Sequence, residues 1–404
     1  MKENSINRRA PLLAAVVLFL DLRPYFAWSF IENSFVKLIL LLILTFIFFS
    51  HKRNVTNKEI PYVIVFLLAT FCYVFFGFTC GRMNVNGFLN SLTLFLLISL
   101  PLCKKSFGEA VLNSFATLFS LLVGLSLLSW IINQTIGLPQ LGTLELVGQH
   151  RSYLHYPFFV IEMANYAAVD ILRFSGPFDE PGVVGTYGAL ILAISRFNFK
   201  DWRMVIIFIA GIFSFSLFFY LVSFVYLLFY YIVVKKKIVA SIFLIAALFV
   251  FYVGTKDNPI FYEYIWKRTE WNDESKTIEG DNRSNDSVDA YLKRIRGTSE
   301  YYIGTSDDNW YNTVAGGSSA TYKSIICING IIFFVLYVVF FILLGTSNKK
   351  TKSEAILYCI VVLANFYQRS SIYFPVTVFL YCAFAMDYLL YSNRMKKSLR
   401  IEQS

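Results

Sequence analysis

A charged stretch at residues 173–185, RFSGPFDEPGVVG, stands next to an apolar segment. It combines one guanidinium, Arg173, with two adjacent carboxylates, Asp179 and Glu180. Charged side chains beside a hydrocarbon boundary are costly to place, so we expect them to have a use. A carboxylate can take a proton from a hydroxyl group, and a guanidinium can orient that carboxylate or grip a phosphate through two hydrogen bonds.

Glycine and proline give this stretch an unusual backbone. Gly176 permits conformations that side chains forbid, while Pro177 and Pro181 stiffen the chain. The pattern predicts a fixed turn followed by a helix that begins near Pro181. A purely structural interpretation stays open, in which Glu180 only starts the helix, where the dipole favours an acid, and Arg173 is only its ion-pair partner.

The rest of the chain is strongly apolar. Of its 404 residues, 57% are hydrophobic and 15% are charged, and the mean hydropathy is +0.58. These values predict an all-α polytopic membrane protein, with residues 1–404 forming a single integral membrane domain. Apolar blocks occur near residues 10–28, 35–50, 60–79, 87–103, 108–132, 182–195, 204–234, 238–254, 324–345, 355–370 and 372–391.

Short clusters of lysine and arginine separate many of these blocks, and the positive-inside rule places the clusters in the cytoplasm. Block 204–234 has basic residues at both ends, so it is predicted to be a helical hairpin that breaks near residues 214–216. One long tilted helix is the alternative, but it would place a basic cluster on the outer side. This arrangement gives about twelve transmembrane helices with both termini cytoplasmic. The first block is expected to stay as an uncleaved helix, because no small-residue cleavage site follows it. The net charge of +10 is assigned to orientation and lipid contact and not to nucleic acid.

This topology leaves two large loops on the outer side of the membrane, at about residues 133–181 and 255–323. In the first loop, residues 156–172 are predicted to form a helix lying on the membrane surface. The second loop is rich in acids, amides and aromatic residues, which suit either sugar binding or a solvated acidic surface. Within it, Val288, Tyr291 and Ile295 have the spacing of an amphipathic helix.

Arginines on the outer side could bind the phosphate or pyrophosphate of a lipid carrier, or pair with local acids. These candidates are Arg173, Arg283, Arg294, Arg296 and Arg82. Other polar residues lie at unusual depth within the predicted spans, where they either line a cavity or reach toward the headgroups. These residues are Asp21, Arg23, Asn365, Gln368 and Arg369.

The pattern resembles the O-antigen polymerases, the Wzy-type enzymes of the O-antigen ligase and polymerase superfamily. The resemblance rests on Arg173-Phe-Ser-Gly176 followed by Glu180-Pro181-Gly182, and on Arg283 with the pair Arg294 and Arg296. Two later stretches are also similar to the family, Tyr302-Ile-Gly304 and INGIIFFVLY at residues 328–337. Related ligases carry a histidine in the second loop, where this chain has GGSSATYK, so the polymerases are favoured.

The resemblance implies a GT-C-like glycosyltransferase of the bacterial inner membrane, which acts without metal or other cofactor. It would polymerise undecaprenyl-pyrophosphate-linked oligosaccharide repeat units into O-antigen or a related polysaccharide. A chain-length regulator protein is a further candidate partner. Glu180 is then the expected base, with Asp179 as second choice and Arg173 orienting it or contacting phosphate. Substrate binding is expected at Arg283, Arg294, Arg296, Gly176 and Arg369. An O-antigen ligase, a flippase or transporter of lipid-linked oligosaccharides, and a non-catalytic scaffold are the alternatives.

Overall fold

The computed structural model describes residues 9–31, 33–146, 151–163, 173–272, 277–278, 286–306, 310, 314, 322–368 and 374–390. The chain divides into two compact units. The first unit comprises Met1–Arg53, Cys103–Ser223 and Met386–Ser404. The second unit comprises Asn54–Leu102 and Phe224–Ala385.

Helices dominate the described residues. They are α1 (Arg9–Leu20), α2 (Trp28–Ile31), α3 (Ser34–Ser50), α4 (Ile60–Thr79), α5 (Val85–Leu97), α6 (Lys105–Thr135), α7 (Pro181–Ile194), α8 (Trp202–Phe213), α9 (Leu217–Phe229), α10 (Ile238–Thr255), α11 (Pro259–Phe261), α12 (Asp286–Ile295), α13 (Ser299–Ile303), α14 (Tyr322–Asn348), α15 (Lys352–Gln368) and α16 (Pro375–Ala385). Short 3-10 or π turns at Tyr25–Ala27, Tyr230–Val234, Tyr262–Trp266 and Lys267–Thr269 adjoin α2, α9 and α11. The strands are β1 (Gly142–Leu146), β2 (Arg151–Tyr156), β3 (Phe159–Glu162), β4 (Trp271–Asn272) and β5 (Thr277–Ile278).

Five of the described helices are long and apolar enough to cross a membrane, or six if the bent pair of α1 with Tyr25–Ile31 is one span. This architecture is compatible with the predicted all-α membrane protein. The five are α4, α6, α9 with its π turn, α10 and α14. The predicted number of about twelve spans and their orientation stay predictions.

The first predicted helix is interrupted. Helix α1 ends at Leu20, and the chain resumes a helical course at Tyr25 with a bend of 95°. Two local causes lie in the connection, because Pro24 lacks an N–H and Arg23 adopts a left-handed φ of 57°. The expectation of one continuous helix over residues 10–28 is therefore wrong.

The predicted break at residues 214–216 is confirmed, since α8 ends at Phe213 and α9 begins at Leu217. The start of α7 at Pro181 is confirmed as well. Both predictions follow from local signals: a serine pair interrupts the apolar run at 214–216, and a proline can occupy the first turn of a helix without losing a hydrogen bond.

The surface helix predicted over residues 156–172 is wrong in its described part. Strands β2 and β3 pair antiparallel across a tight turn at Pro157 and Phe158, and β1 pairs with the other edge of β2. Pro157 favours a turn, and the aromatic and β-branched run that follows suits a strand. Residues 164–172 lie outside the described residues.

The second unit is built around α14, which packs along α4 through aromatic contacts such as Phe66 with Phe340 at 4.6 Å. The amphipathic helix predicted in the second loop is confirmed as α12. Its residues Val288, Tyr291 and Ile295 are buried in one cluster with the start of α14.

Candidate functional site

The segment from Arg173 to Glu180 is fixed within the first unit by hydrogen bonds to distant elements. The N–H of Phe174 donates to the carbonyl of Phe213 at the end of α8, at 3.0 Å. The hydroxyl of Ser175 donates to the carbonyl of Val160 on β3, at 2.7 Å. Phe174 and Ser175 are themselves buried. The fixed turn predicted from the glycines and prolines is therefore present.

Two residues of this turn give it its shape. Gly176 has a left-handed φ of 61°, which a side chain rarely adopts. Glu180 is the N-cap residue of α7 in an extended conformation, but its side chain makes no capping hydrogen bond. The carboxylate of Glu180 is thus held at the start of α7 without being used to cap it.

The guanidinium of Arg173 binds the break between α8 and α9. Its Nε donates to the carbonyl of Ser214 and its Nη2 donates to the carbonyl of Phe215, both at 3.1 Å. The last carbonyls of a helix lack intrahelical partners and carry partial negative charge. Arg173 supplies positively charged donors to this helix end, and the geometry gives it a positioning role.

The break itself is closely packed against α7. A Cβ atom added to Gly185 would lie 2.3 Å from the Cβ of Ser216, and Ser214 is completely buried. Phe215 has a left-handed φ of 46°. The break, the Arg173 segment and the start of α7 therefore form one packed substructure that fixes the positions of Asp179 and Glu180.

One face of β2 adds three chemically capable side chains to this region. Arg151, Tyr153 and His155 alternate along β2 and so point to the same side of the sheet. Arg151 forms an ion pair with Glu162 on β3, with 3.6 Å between Nε and Oε1. The three residues and Glu162 are held by strand pairing on both edges of β2.

Electrostatic effects connect this face to the two acids of the turn. Burial raises the pKa of the Tyr153 hydroxyl, and the carboxylates of Asp179 and Glu162 raise it further. Burial has the largest single effect on the pKa of Arg151 and lowers it, but the Glu162 carboxylate, the Tyr153 hydroxyl and the Glu180 carboxylate together outweigh burial, so the pKa is raised. Tyr153 therefore stays a neutral donor and Arg151 stays a cation beside the carboxylates of the turn.

His155 is a neutral member of the same face. Its ring lies 4.8 Å from the ring of Tyr25, and burial lowers the pKa of its imidazole. The face therefore combines one cation, one neutral hydroxyl donor and one neutral imidazole. Tyr153 is completely buried, so the groups of this face that a ligand can reach are Arg151 and His155. Together with the carboxylates of the turn, they can accept a proton, donate hydrogen bonds to sugar hydroxyls and balance a negative charge.

Within the second unit, Arg82 holds a different helix break. Its guanidinium donates to the carbonyls of Ile328 and Ile303 and to the Oδ1 of Asn329, and it is 3% exposed. Its partners flank Gly330, where α14 has the non-helical φ of 84°. Arg82, considered above as a phosphate ligand, is thus committed to the backbone.

Arg294 and Arg296 are exposed near the end of α12. The guanidinium of Arg294 lies 4.6 Å from the centre of the Tyr291 ring. Among the described residues, neither arginine forms an ion pair with an acid. Within that part of the chain, no carboxylate competes with an anionic ligand for their guanidinium groups. Arg283 and Arg369, two further predicted binding residues, lie outside the described residues.

The sequence motifs do not single out Arg151 or Tyr153. A signal for them exists in the alternation of RSYLHY at 151–156, which is the period of a strand with its polar groups on one side. Asn365, considered for a polar cavity, is buried and donates to the hydroxyl of Tyr381 at 2.5 Å. This contact gives Asn365 a packing role in the second unit.

The chain matches no protein-family model, no curated protein and no solved structure.

Proposed function

We propose that the protein is a membrane glycosyltransferase that polymerises undecaprenyl-pyrophosphate-linked oligosaccharide repeat units at the periplasmic face of the inner membrane. The observation that carries the proposal is the fixed pair of carboxylates, Asp179 and Glu180, in the electrostatic range of Arg151 and Tyr153. The resemblance of the Arg173–Gly182 stretch to the O-antigen polymerases supports the same activity.

The reaction needs a base and a stabilised leaving group. In the proposed step, the Glu180 carboxylate takes the proton of the acceptor sugar hydroxyl while the hydroxyl oxygen attacks the anomeric carbon of the donor. The bond from that carbon to the pyrophosphate oxygen breaks, and the lipid pyrophosphate leaves with the electron pair. Asp179 is the alternative base, and a guanidinium can stabilise the charge that develops on the leaving oxygen.

The arginines divide into two groups in this proposal. Arg173 and Arg82 donate to backbone carbonyls at helix breaks, so they act as positioning residues. Arg151 presents an exposed guanidinium group in the same unit as Glu180 and is the proposed phosphate ligand. Arg294 and Arg296 are exposed in the second unit and stay predicted substrate-binding residues. The proposal therefore gives Arg173 a positioning role without contact to substrate. It also includes Arg151, which the sequence motifs do not single out.

A transporter of lipid-linked oligosaccharides is the second candidate, because broken helices are typical of transporters. The chain has such breaks after Leu20, at residues 214–216 and at Gly330. In transporters, unwound carbonyls coordinate the coupling ion. Here the guanidinium groups of Arg173 and Arg82 donate hydrogen bonds to carbonyls at two of the breaks. These carbonyls therefore serve to stabilise the fold, which favours the glycosyltransferase over the transporter.

Electrophoresis of the lipopolysaccharide from a deletion strain separates the candidates. A core capped with single repeat units indicates a lost polymerase, whereas a core without any repeat indicates a lost transporter or ligase. An unchanged ladder contradicts both assignments. Because each result is a different band pattern, the assay distinguishes the candidates without purified protein.

Complementation of that strain then tests the residues. Glu180→Gln is expected to abolish the long ladder, since the amide cannot accept the proton. Glu145→Gln is the matched control, because Glu145 is an exposed acid on β1, in the sheet that carries Arg151. A full ladder with Glu180→Gln, at wild-type protein levels, would reject Glu180 as the base. Asp179 would then be the remaining candidate, and Asp179→Asn would be expected to abolish the long ladder.

A further inference from the structure

A second charged site lies in the first unit, away from the residues of the proposed reaction. It is a cavity of about 170 Å³ formed by the connection between α7 and α8 and by the residues that follow α16. This volume far exceeds the roughly 15 Å³ that a single water needs. Its polar lining includes Ser195, Arg196, Asn198, Asp201 and Asp387, and its apolar lining includes Met204.

The charges of this cavity fall into two pairs with different roles. Asp201 and Arg203 are both almost fully buried, and the Nε of Arg203 lies 3.0 Å from both oxygens of Asp201. Arg203 also donates to the carbonyl of Asn113 at 3.1 Å, so this pair is satisfied within the protein. The accessible charges of the cavity are therefore those of the other pair.

Arg196 and Asp387 form that accessible pair. Their closest atoms, Nη2 and Oδ1, are 3.6 Å apart, longer than the roughly 2.7–2.9 Å of a charge-assisted hydrogen bond. The side chain of Arg196 is 45% exposed and that of Asp387 is 16% exposed. Both residues line the cavity, so a ligand in it can reach both charged groups.

The backbone at this site is strained. Arg196, Phe197 and Asp387 all have left-handed φ angles, of 55°, 53° and 50°. Residues other than glycine adopt this conformation rarely, and such residues cluster at functional sites. Here the strained conformations hold the two charged side chains on the lining of one cavity.

The surroundings indicate a membrane interface. Trp202 is 50% exposed and Phe199 is 46% exposed, and both lie in or beside the connection that forms the cavity. Exposed tryptophan at a helix end is typical of the level of the lipid headgroups. A cavity at this level would face lipid headgroups.

We propose that this cavity binds a phospholipid whose headgroup carries both a phosphate and a primary ammonium, as in phosphatidylethanolamine. The phosphate binds Arg196, and the ammonium donates hydrogen bonds to Asp387. Such a headgroup brings one opposite charge to each member of the pair. A headgroup with only a negative charge must instead approach the Asp387 carboxylate, and a quaternary ammonium has no N–H to donate.

Native mass spectrometry of the full chain in detergent tests this proposal, with phosphatidylethanolamine, phosphatidylcholine and phosphatidylglycerol of the same acyl chains as probes. The wild-type protein is expected to bind phosphatidylethanolamine about tenfold more tightly than either other lipid, as for one charge-assisted hydrogen bond gained. Equal retention of the three lipids would overturn the proposal.

Two variants locate the site. Asp387→Asn keeps a residue that tolerates a left-handed φ. It should reverse the preference toward phosphatidylglycerol, because the Asp387 carboxylate no longer repels a headgroup with only a negative charge. Arg196→Gln should weaken the binding of both phosphatidylethanolamine and phosphatidylglycerol about tenfold. Lys105→Gln is the matched control, since Lys105 is an exposed cation of the same unit and does not line the cavity.

An unchanged lipid preference in Asp387→Asn would place the headgroup elsewhere and contradict the assignment. If Asp387→Asn does not fold, Arg196→Gln decides alone: binding like that of Lys105→Gln overturns the proposal. The proposed polymerase activity is independent of these results, because none of its residues lines this cavity.

Discussion

Removal of the Arg173 guanidinium tests whether this residue positions the helix break or acts on substrate. Its two hydrogen bonds to the carbonyls of Ser214 and Phe215 are charge-assisted and lie at a buried break. Hydrogen bonds of this kind contribute about 1.5–3 kcal/mol each when buried. Because Arg173 itself is half-buried, we expect Arg173→Ala to lower the free energy of unfolding by about 2 kcal/mol in total.

Thermal unfolding in detergent, followed by tryptophan fluorescence, measures this effect. A loss of 2 kcal/mol corresponds to a decrease in Tm of about 2–3 °C for a chain of 404 residues. Arg173→Lys keeps the charge but loses the fork of donors, so its decrease should be about half as large. Arg296→Ala is the matched control, because Arg296 is exposed and should change stability by less than about 0.5 kcal/mol.

The positioning role is refuted if Arg173→Ala is as stable as Arg296→Ala. If that variant also loses the polysaccharide ladder at full stability, Arg173 contacts substrate directly and the role first expected from the sequence is restored. A loss of stability and ladder together, with partial recovery of both in Arg173→Lys, is the result that the hydrogen bonds predict.

Three further predictions concern close packing and charge. Gly185→Ala places a methyl group 2.3 Å from the Cβ of Ser216 and should cost about 1–3 kcal/mol in thermal unfolding, and Ser216→Gly in the same chain should restore most of it. Gly330→Ala should sharply reduce the yield of monodisperse protein in size-exclusion chromatography, because its φ is 84° and a carbonyl lies 2.3 Å from the added carbon. Gly254→Ala in α10 meets nothing within 4 Å and should leave that yield unchanged. Burial lowers the pKa of His155, so the folded state should lose stability as pH falls below about 6.5, and His155→Gln should make the decrease in Tm between pH 7 and 5 shallower.

Local signals predict much of the helical framework. The apolar run at residues 60–79 coincides with α4, and the block at 182–195 differs from α7 by one residue at each end. Hydropathy and the helix-starting Pro181 suffice for these elements, because both signals act within a few residues. The break at 214–216 is also local, since serines interrupt an otherwise continuous apolar run.

Contacts between distant residues are what the sequence does not predict. Arg173 and its acceptors Ser214 and Phe215 are separated by about forty positions, so nothing near Arg173 indicates that the backbone is its partner. The partners of Arg82 lie more than two hundred positions away. From residue type, both arginines are expected at a phosphate or beside an acid, whereas in the structure each also donates to backbone carbonyls at a helix break.

The predicted surface helix fails for a related reason. Three of the four residues at 159–162 are apolar. Such a short apolar run shows no periodicity that could distinguish a strand from a helix. Pairing with β2 decides the conformation, and that pairing depends on the register of the neighbouring strand. The position of Arg151 near Asp179 and Glu180 therefore depends on strand pairing, which the sequence around Arg151 does not reveal.

The most direct test of the central claim uses purified protein in proteoliposomes with undecaprenyl-pyrophosphate-linked repeat units and a metal chelator. The wild-type protein should extend the repeat units into polymer and release undecaprenyl pyrophosphate, and Glu180→Gln should slow this release by about 100-fold or more, as for loss of a general base. Unchanged release by Glu180→Gln and by Asp179→Asn, or no polymer from the wild-type protein, would contradict the account.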